Sequence, residues 1–226
     1  MRNLKNRLPK LLQLAMSNAG IPGSFKAEQT GDEATIYLYD VIGGYWGGVS
    51  AEAVAKELAN ISAKTIHVRI NSPGGDVFEA RAIMTALREH AAKIVIHVDG
   101  IAASAATSLM MAGDEVKMTR GGRMMIHEAW TFTMGNKRDL RSEAELLDGI
   151  DQEIAADYKG RTGKSDAELH TWMMAETWFS ADQAKEAGFV DEIVETTRKA
   201  DNRWNLSAYD NVPKDLLEPA PQPRRY

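Results

Sequence analysis

Ser104 stands among alanines in GIAASAATSLMMAG, Gly100 to Gly113, and its surroundings suit a nucleophile. The preceding KIVIHVD, Lys93 to Asp99, alternates and carries β-branched side chains as a strand does, whereas Ala102 to Met111 favours helix. Ser104 therefore falls at a predicted strand-to-helix turn. There the unpaired N–H groups of the first helical turn and the helix dipole could stabilise an oxyanion beside its hydroxyl. A serine opening an alanine-rich helix is also the usual pattern of an N-cap, and small neighbours are the usual pattern of close packing. Taken alone the stretch favours the structural reading, and a nucleophile needs a base.

Five histidines are available as that base. His67 and His97 lie inside predicted strands, where an imidazole packs or faces solvent, although His97 stays an alternative through its closeness in sequence to Ser104. His90 lies near a helix C-terminus, which suits a partly charged ring without catalysis, and His170 lies in a polar helix. His127 ends the apolar run GRMMIH and opens a loop, so a rigid element presents it at an edge. In HEAW the position where a zinc helix needs a second histidine is Thr131, which argues against metal hydrolysis. The turn NSPGGD, Asn71 to Asp76, has two successive glycines that can aim backbone N–H groups at one point, its plainer reading being a tight strand-to-helix turn. Without a P-loop lysine or GxGxxG it does not indicate phosphate binding.

The elements that would position these groups alternate. TIYLYDVI, Thr35 to Ile42, reads as a strand, and a Gly-rich loop leads to Ser50 as N-cap of a helix from Ala51 to Asn60. TIHVRI is a second strand, followed by a helix from Val77 to His90, then the strand from Lys93 and the Ser104 helix. This order predicts an α/β fold with much parallel pairing. Short strands follow around Val116 and Met124, then a long helix from about Arg138 to Lys159 and another from Ser165 to Ala175. Ser180 caps a short helix that Gly188 ends, and Phe189 to Val194 returns as a strand.

With 226 residues, 44% hydrophobic and 26% charged, the chain suffices for one well-cored globular domain. Its 27 basic and 32 acidic residues give a net charge of -5, which argues against a nucleic-acid footprint or an anionic-membrane surface. The absence of cysteine excludes disulfides, thiol nucleophiles and thiolate metal sites, and fits a reducing cytoplasm. In MRNLKNRLPKLLQLAMSNAG, Lys10 and Gln13 break an apolar run too short for a signal core or a membrane span. Residues 1–30 read as a flexible leader, or as a short amphipathic helix; 31–196 as the domain; and 197–226, ending in the proline-rich PKDLLEPAPQPRRY, as a partly disordered tail.

INSPGGDVFEA, DGIAASAA, RMMIHEAW and FSADQAKEAGFVDEI, in this order, resemble the Clp protease proteolytic subunit (ClpP) family, especially its phage relatives in head maturation. The likeness covers roughly Thr35 to Glu195. It implies the spiral of ββα units shared with crotonases, with a protruding helical handle around Arg138 to Lys159. It implies a serine endopeptidase with Ser104 as nucleophile, His127 as general base, and the amides of Gly74 and Ala105 as oxyanion hole. The family's acid falls on Glu176, where the family has aspartate; the longer side chain could still orient the imidazole. Gly75, Thr131, Thr133 and Gly135 fall where substrates lie, with Thr131 to Asn136 as a strand.

The resemblance further implies a ring-forming homo-oligomer; from charge and residue types neither nucleic acid nor membrane is expected as a partner, and no metal or cofactor is expected. Leu146, Leu147, Ile150 and Ile154 along the long helix exceed what a small handle can bury, which predicts assembly through it. The substrate class implied is phage scaffold or major capsid protein, in the host cytoplasm or inside a procapsid. Two other readings stand beside this one: a degradative subunit working with an ATPase unfoldase, and a catalytically silent ring or scaffold-binding protein that keeps the fold. A crotonase-like acyl-CoA enzyme would not need Ser104 and His127 to share a site.

Overall fold

The computed structural model describes residues 10–19, 21, 23–44, 47–195 and 204–217. It opens with α1 (Lys10–Asn18) and β1 (Ser24–Thr30), so the described part of the expected leader is folded, α1 being the short helix read as the alternative. β1 pairs antiparallel with β2 (Glu33–Tyr39) through a turn at Gly31, φ 60°. β1 turns Phe25 and Ala27 onto the core and Lys26 and Glu28 to solvent, a polar edge strand that hydropathy does not announce.

From β2 the chain runs through α2 (Ala51–Leu58), β3 (Thr65–Ser72), α3 (Val77–Glu89), β4 (Lys93–Ala103), α4 (Ala105–Met110) and β5 (Glu115–Thr119). Strands β2 to β5 are parallel neighbours in chain order, as the βα alternation predicts. The Ser50 hydroxyl accepts from Ala53 N–H to start α2, and the Asp76 carboxylate accepts from Phe78 and Glu79 N–H to start α3. β6 (Arg123–Ile126) follows, then α5 (Lys137–Thr162), α6 (Asp166–Met174), β7 (Thr177–Ser180), α7 (Ala181–Glu186), β8 (Glu192–Val194) and α8 (Lys214–Leu217). β8 joins β5 in parallel. The strand expected from Phe189 is shorter because Phe189 and Val190 turn into the core, Phe189 packing its ring on Tyr158 and Phe179.

The longest strand changes partners along its length. Val95 to Val98 of β4 pair with β5, whereas Ile101 to Ala103 pair with β6, which pairs antiparallel with β7. The change of partner falls around Gly100, where a Cβ would meet Asn71 Oδ1 at 2.8 Å, and the register with β3 shifts between Ile70 and Ser72. Strand alternation then divides the interior in two. Ala102, Met124 and Ile126 face the main core of sheet and helices, with Ile36, Ile66, Val68, Ile83, Ile96 and Leu109. Ile101, Ala103 and Met125 face a second cluster with Leu14 of α1 and with Trp204, Leu206, Ala208 and Tyr209.

That second cluster corrects the expected tail: residues 204–217 pack on the domain, with Trp204 and Tyr209 buried. The more C-terminal proline-rich residues lie outside the described ones. The assembly stripe is corrected too. Ile154 is core, beside Ala155 and Tyr158, while Leu147 and Ile150 are half-buried and Leu146 is exposed. Residues 131–136 form no strand; Phe132 and Met134 point to solvent there. Among the described residues no helix is long and apolar enough to cross a membrane.

Phe189 is fully buried and in ring contact with Tyr158, Phe179 and Trp172, so Phe189→Ala removes the hub of this aromatic group. The expected loss is about 3–5 kcal/mol of unfolding free energy, measured by urea denaturation.

Candidate active site

The tips of β4 and β6 carry Ser104 and His127, each the first residue beyond its strand. Ser104 N–H donates to Met125 C=O at 3.0 Å, extending the β4–β6 pairing by one bond. Thr107 Oγ1, fully buried in α4, lies 2.7 Å from Ala102 O and 2.8 Å from Met125 O, so one hydroxyl bridges both strand ends. Thr107 is a positioning residue that the sequence reading passed over, a lone hydroxyl inside an apolar helix being its signal.

Ser104 adopts φ 57° and ψ −125°, a strained conformation for a residue with a Cβ. Its side chain makes no N-cap bond, which removes the capping interpretation. Instead Ser104 Oγ and His127 Nε2 lie 2.7 Å apart. The His127 ring is buried edge-on against Trp130, centroids 4.5 Å apart, and against Tyr209 at 5.6 Å. This burial, aided by the Lys10 ammonium and opposed by the Asp210 carboxylate, lowers the His127 pKa to about 3. The ring is therefore neutral at pH 7, with one of its two nitrogens unprotonated.

The NSPGG turn closes against the same point. A Cβ on Gly74 would meet Ala103 O at 2.6 Å and Ser104 Cβ at 2.8 Å, so only glycine permits this approach. Gly74 N–H, however, donates to Ser72 Oγ at 3.2 Å. Gly75 N–H has no hydrogen-bond partner among the described residues, nor has Ala105 N–H at the start of α4, and Gly75 lines the cavity with Ser104. The Gly74 amide expected to be free is thus engaged, and the free one is that of Gly75. Two adjacent glycines read alike in sequence; their φ values of 98° and 149° decide which amide is left over.

Glu176 is not brought to His127. Its carboxylate accepts from Asp210 N–H at 2.9 Å, Asn211 N–H at 2.7 Å and Trp178 Nε1–H at 3.3 Å. Among the described residues His127 Nδ1 has no hydrogen-bond partner, so Ser104 and His127 stand as a dyad in this structure. The other histidines lie elsewhere: His67 and His97 pair at 2.9 Å across β3 and β4, and His90 caps α3. Burial is the main cause that lowers His97 to about 4.

A cavity of about 190 Å³ opens beside Ser104. Gly75, Val77, Trp130, Leu146, Leu147 and Ile150 line it, with Thr131 at its rim, while Thr133 and Gly135 do not touch it. Its wall is mostly apolar. Asp151 of α5 accepts from Ala129 N–H at 2.7 Å and so fixes the loop that follows His127. Burial raises this carboxyl to about 6.

The profile of the Clp protease family matches residues 32–197, which takes in every strand from β2 to β8 and both members of the dyad. The chain belongs to the Clp protease family. It is similar to ATP-dependent Clp protease proteolytic subunit 1 of Leifsonia xyli subsp. xyli, 31% identical over 61% of this chain and 71% of that protein. It is similar also to proteolytic subunit 1 of Streptomyces avermitilis, 32% identical over 66% of this chain and 71% of the relative. The Clp protease proteolytic subunit of Chlorella vulgaris shares 28% identity over 64% and 70%. The α/β architecture fits this Clp-type fold. The family match leaves out α1, β1 and residues 204–217.

The depressed His127 pKa sets a pH dependence of stability. The folded state holds the ring neutral, so this contribution is complete above pH 6.5 and is lost as pH falls from 6.5 toward about 3. His97 acts in the same sense and Asp151 in the opposite one. The informative comparison is therefore His127→Gln, whose melting temperature is expected to fall less than that of the wild type between pH 7 and pH 4.

Proposed function

We propose that this chain is a serine endopeptidase in which Ser104 attacks the peptide carbonyl and His127 is the general base. The observation that carries this reading is the 2.7 Å contact between Ser104 Oγ and His127 Nε2 on a strained turn beside unpaired backbone amides. In the acylation step the Ser104 proton passes to His127 Nε2 as Oγ bonds to the carbonyl carbon. Gly75 and Ala105 N–H groups receive the developing oxyanion. Collapse breaks the C–N bond, the amine leaves with the proton from His127, and water then hydrolyses the acyl-enzyme by the same relay. The Clp proteolytic-subunit names of the relatives support this chemistry. Glu176, with its carboxylate held elsewhere, contributes to His127 only after a rearrangement.

The substrate we infer is an extended, flexible arm, such as phage scaffold or the arm of a major capsid protein. Support comes from the likeness of DGIAASAA and AETW to head-maturation relatives, and from a mostly apolar cavity beside Ser104 that suits an unfolded strand. The protein acts as a homo-oligomer, with the exposed first half of α5 available for contact between copies. A second reading, a degradative subunit fed by an ATPase in the cytoplasm, is favoured by the ATP-dependent proteases among the relatives.

A fluorophosphonate probe is expected to modify Ser104 in the wild type. Ser104→Ala should abolish labelling, His127→Ala should slow it by roughly a thousandfold or more, and Gly75→Ala, whose Cβ would meet Ile42 O at 1.9 Å, should slow it as well. Labelling of His127→Ala at the wild-type rate would remove the base. Co-expression with a phage capsid and scaffold pair is expected to give discrete products that vanish with Ser104→Ala. Degradation of unrelated proteins only when a Clp ATPase is added would decide for the second reading.

A further inference from the structure

The segments left outside the family match on either side meet each other on the active site. Asn18 at the end of α1 clasps Asn205, donating from Nδ2 to its C=O at 3.0 Å and accepting its N–H at 2.8 Å. Gln13 donates to Ser207 C=O at 3.0 Å, and Lys10 pairs with Asp210. Trp204, Leu206 and Tyr209 then bury themselves behind Ile101, Ala103 and Met125, the residues just before Ser104 and His127. Tyr209 carries the contact into the site itself. Its ring packs on His127, Trp130 and Trp178, and its hydroxyl donates to Pro73 C=O at 2.5 Å, next to the glycines of the oxyanion turn.

The β6–β7 ladder shows what this segment withholds. Met125 lies opposite Trp178 and Ile126 opposite Thr177, so the next pair in register is His127 opposite Glu176. Directly opposed residues of an antiparallel pair bring their Cβ atoms to about 5 Å, within reach for a glutamate and an imidazole. Glu176 instead takes φ 48° and turns its carboxylate to the amides of Asp210 and Asn211, while Asn211 Nδ2 donates back to Ala175 C=O at 2.8 Å.

We infer that residues 204–217 are an intramolecular latch that occupies the active-site surface and diverts Glu176 from His127. In the latched state the Ser104–His127 contact exists without its acid. Withdrawal of Tyr209 and the 210–211 amides uncovers His127 and leaves the Glu176 carboxylate free to accept from His127 Nδ1–H. No covalent bond is made or broken in the switch, only hydrogen bonds are exchanged, and the competing groups are all in this chain. The inference rests on the proposed role of Ser104 as nucleophile.

The test compares fluorophosphonate labelling rates in the full chain. Tyr209→Ala removes the ring from His127, and Asn18→Ala loosens the clasp on Asn205 from a position that touches neither Ser104 nor His127. Each is expected to label Ser104 on the order of tenfold faster than the wild type, and adding Glu176→Gln to either should remove the gain. Circular dichroism checks folding; if Tyr209→Ala does not fold, Asn18→Ala decides. Wild-type or slower labelling in the folded variants overturns the latch, as does a gain that survives Glu176→Gln. Labelling of Ser104 in none of these proteins, wild type included, overturns the nucleophile and the latch together.

Discussion

The hydrogen bond from Ser104 N–H to Met125 C=O is the constraint on which the site depends. A positive φ at a serine costs about 1–3 kcal/mol, and such a conformation persists only where surroundings over-determine it. Here the strand tips on both sides are fixed, one by the β3 register and the other by β7, and Thr107 binds the two together. With that frame rigid, the strained turn has one outcome: Oγ faces the imidazole and the following amide has no acceptor among the described residues. The small residues around it follow from the same constraint, since Gly74 must come within contact distance of Ala103 and Ser104.

Burial of His127 has two opposed effects. Trp130 and Tyr209 hold the imidazole in one place and exclude water from it, which favours a defined contact with Ser104. The same desolvation makes it a weak base, far from the near-neutral pKa at which proton transfer is most effective. A carboxylate at Nδ1 is the remedy that serine-protease chemistry uses, because it stabilises the imidazolium as it forms. Here one candidate carboxylate is near in register and turned away in fact.

Much of this was legible from local signals. Ser104 lay where β-branched alternation gives way to alanine, His127 at the end of an apolar strand, and Ser50 and Ser180 at the heads of their helices. Local signals stopped where long-range pairing begins. β1 is a polar edge strand, β7 is four residues long, and each exists because a neighbouring strand pairs with it. Residues 204–217 carry Trp, Leu and Tyr too sparsely to announce a core, and they bury only because α1 supplies the other wall. The direction of the Gly74 amide and the partners of Glu176 depend on dihedral angles and distant backbone, which residue types do not encode.

Helix α5 spans 26 residues, about 39 Å, and its two halves live in different environments. The C-terminal half is anchored by Ile154, Ala155 and Tyr158, the N-terminal half is largely in solvent, and Leu146, Leu147 and Ile150 at the junction form a wall of the cavity beside Ser104. Such a member is a lever with its fulcrum at the core. A tilt of the free arm would act on the cavity wall through Leu146, Leu147 and Ile150. Asp151, on the same helix, holds the Ala129 amide and so ties α5 to the loop beyond His127. The shape of the space beside Ser104 is therefore tied to the seating of a helix most of whose outer arm lies outside the core.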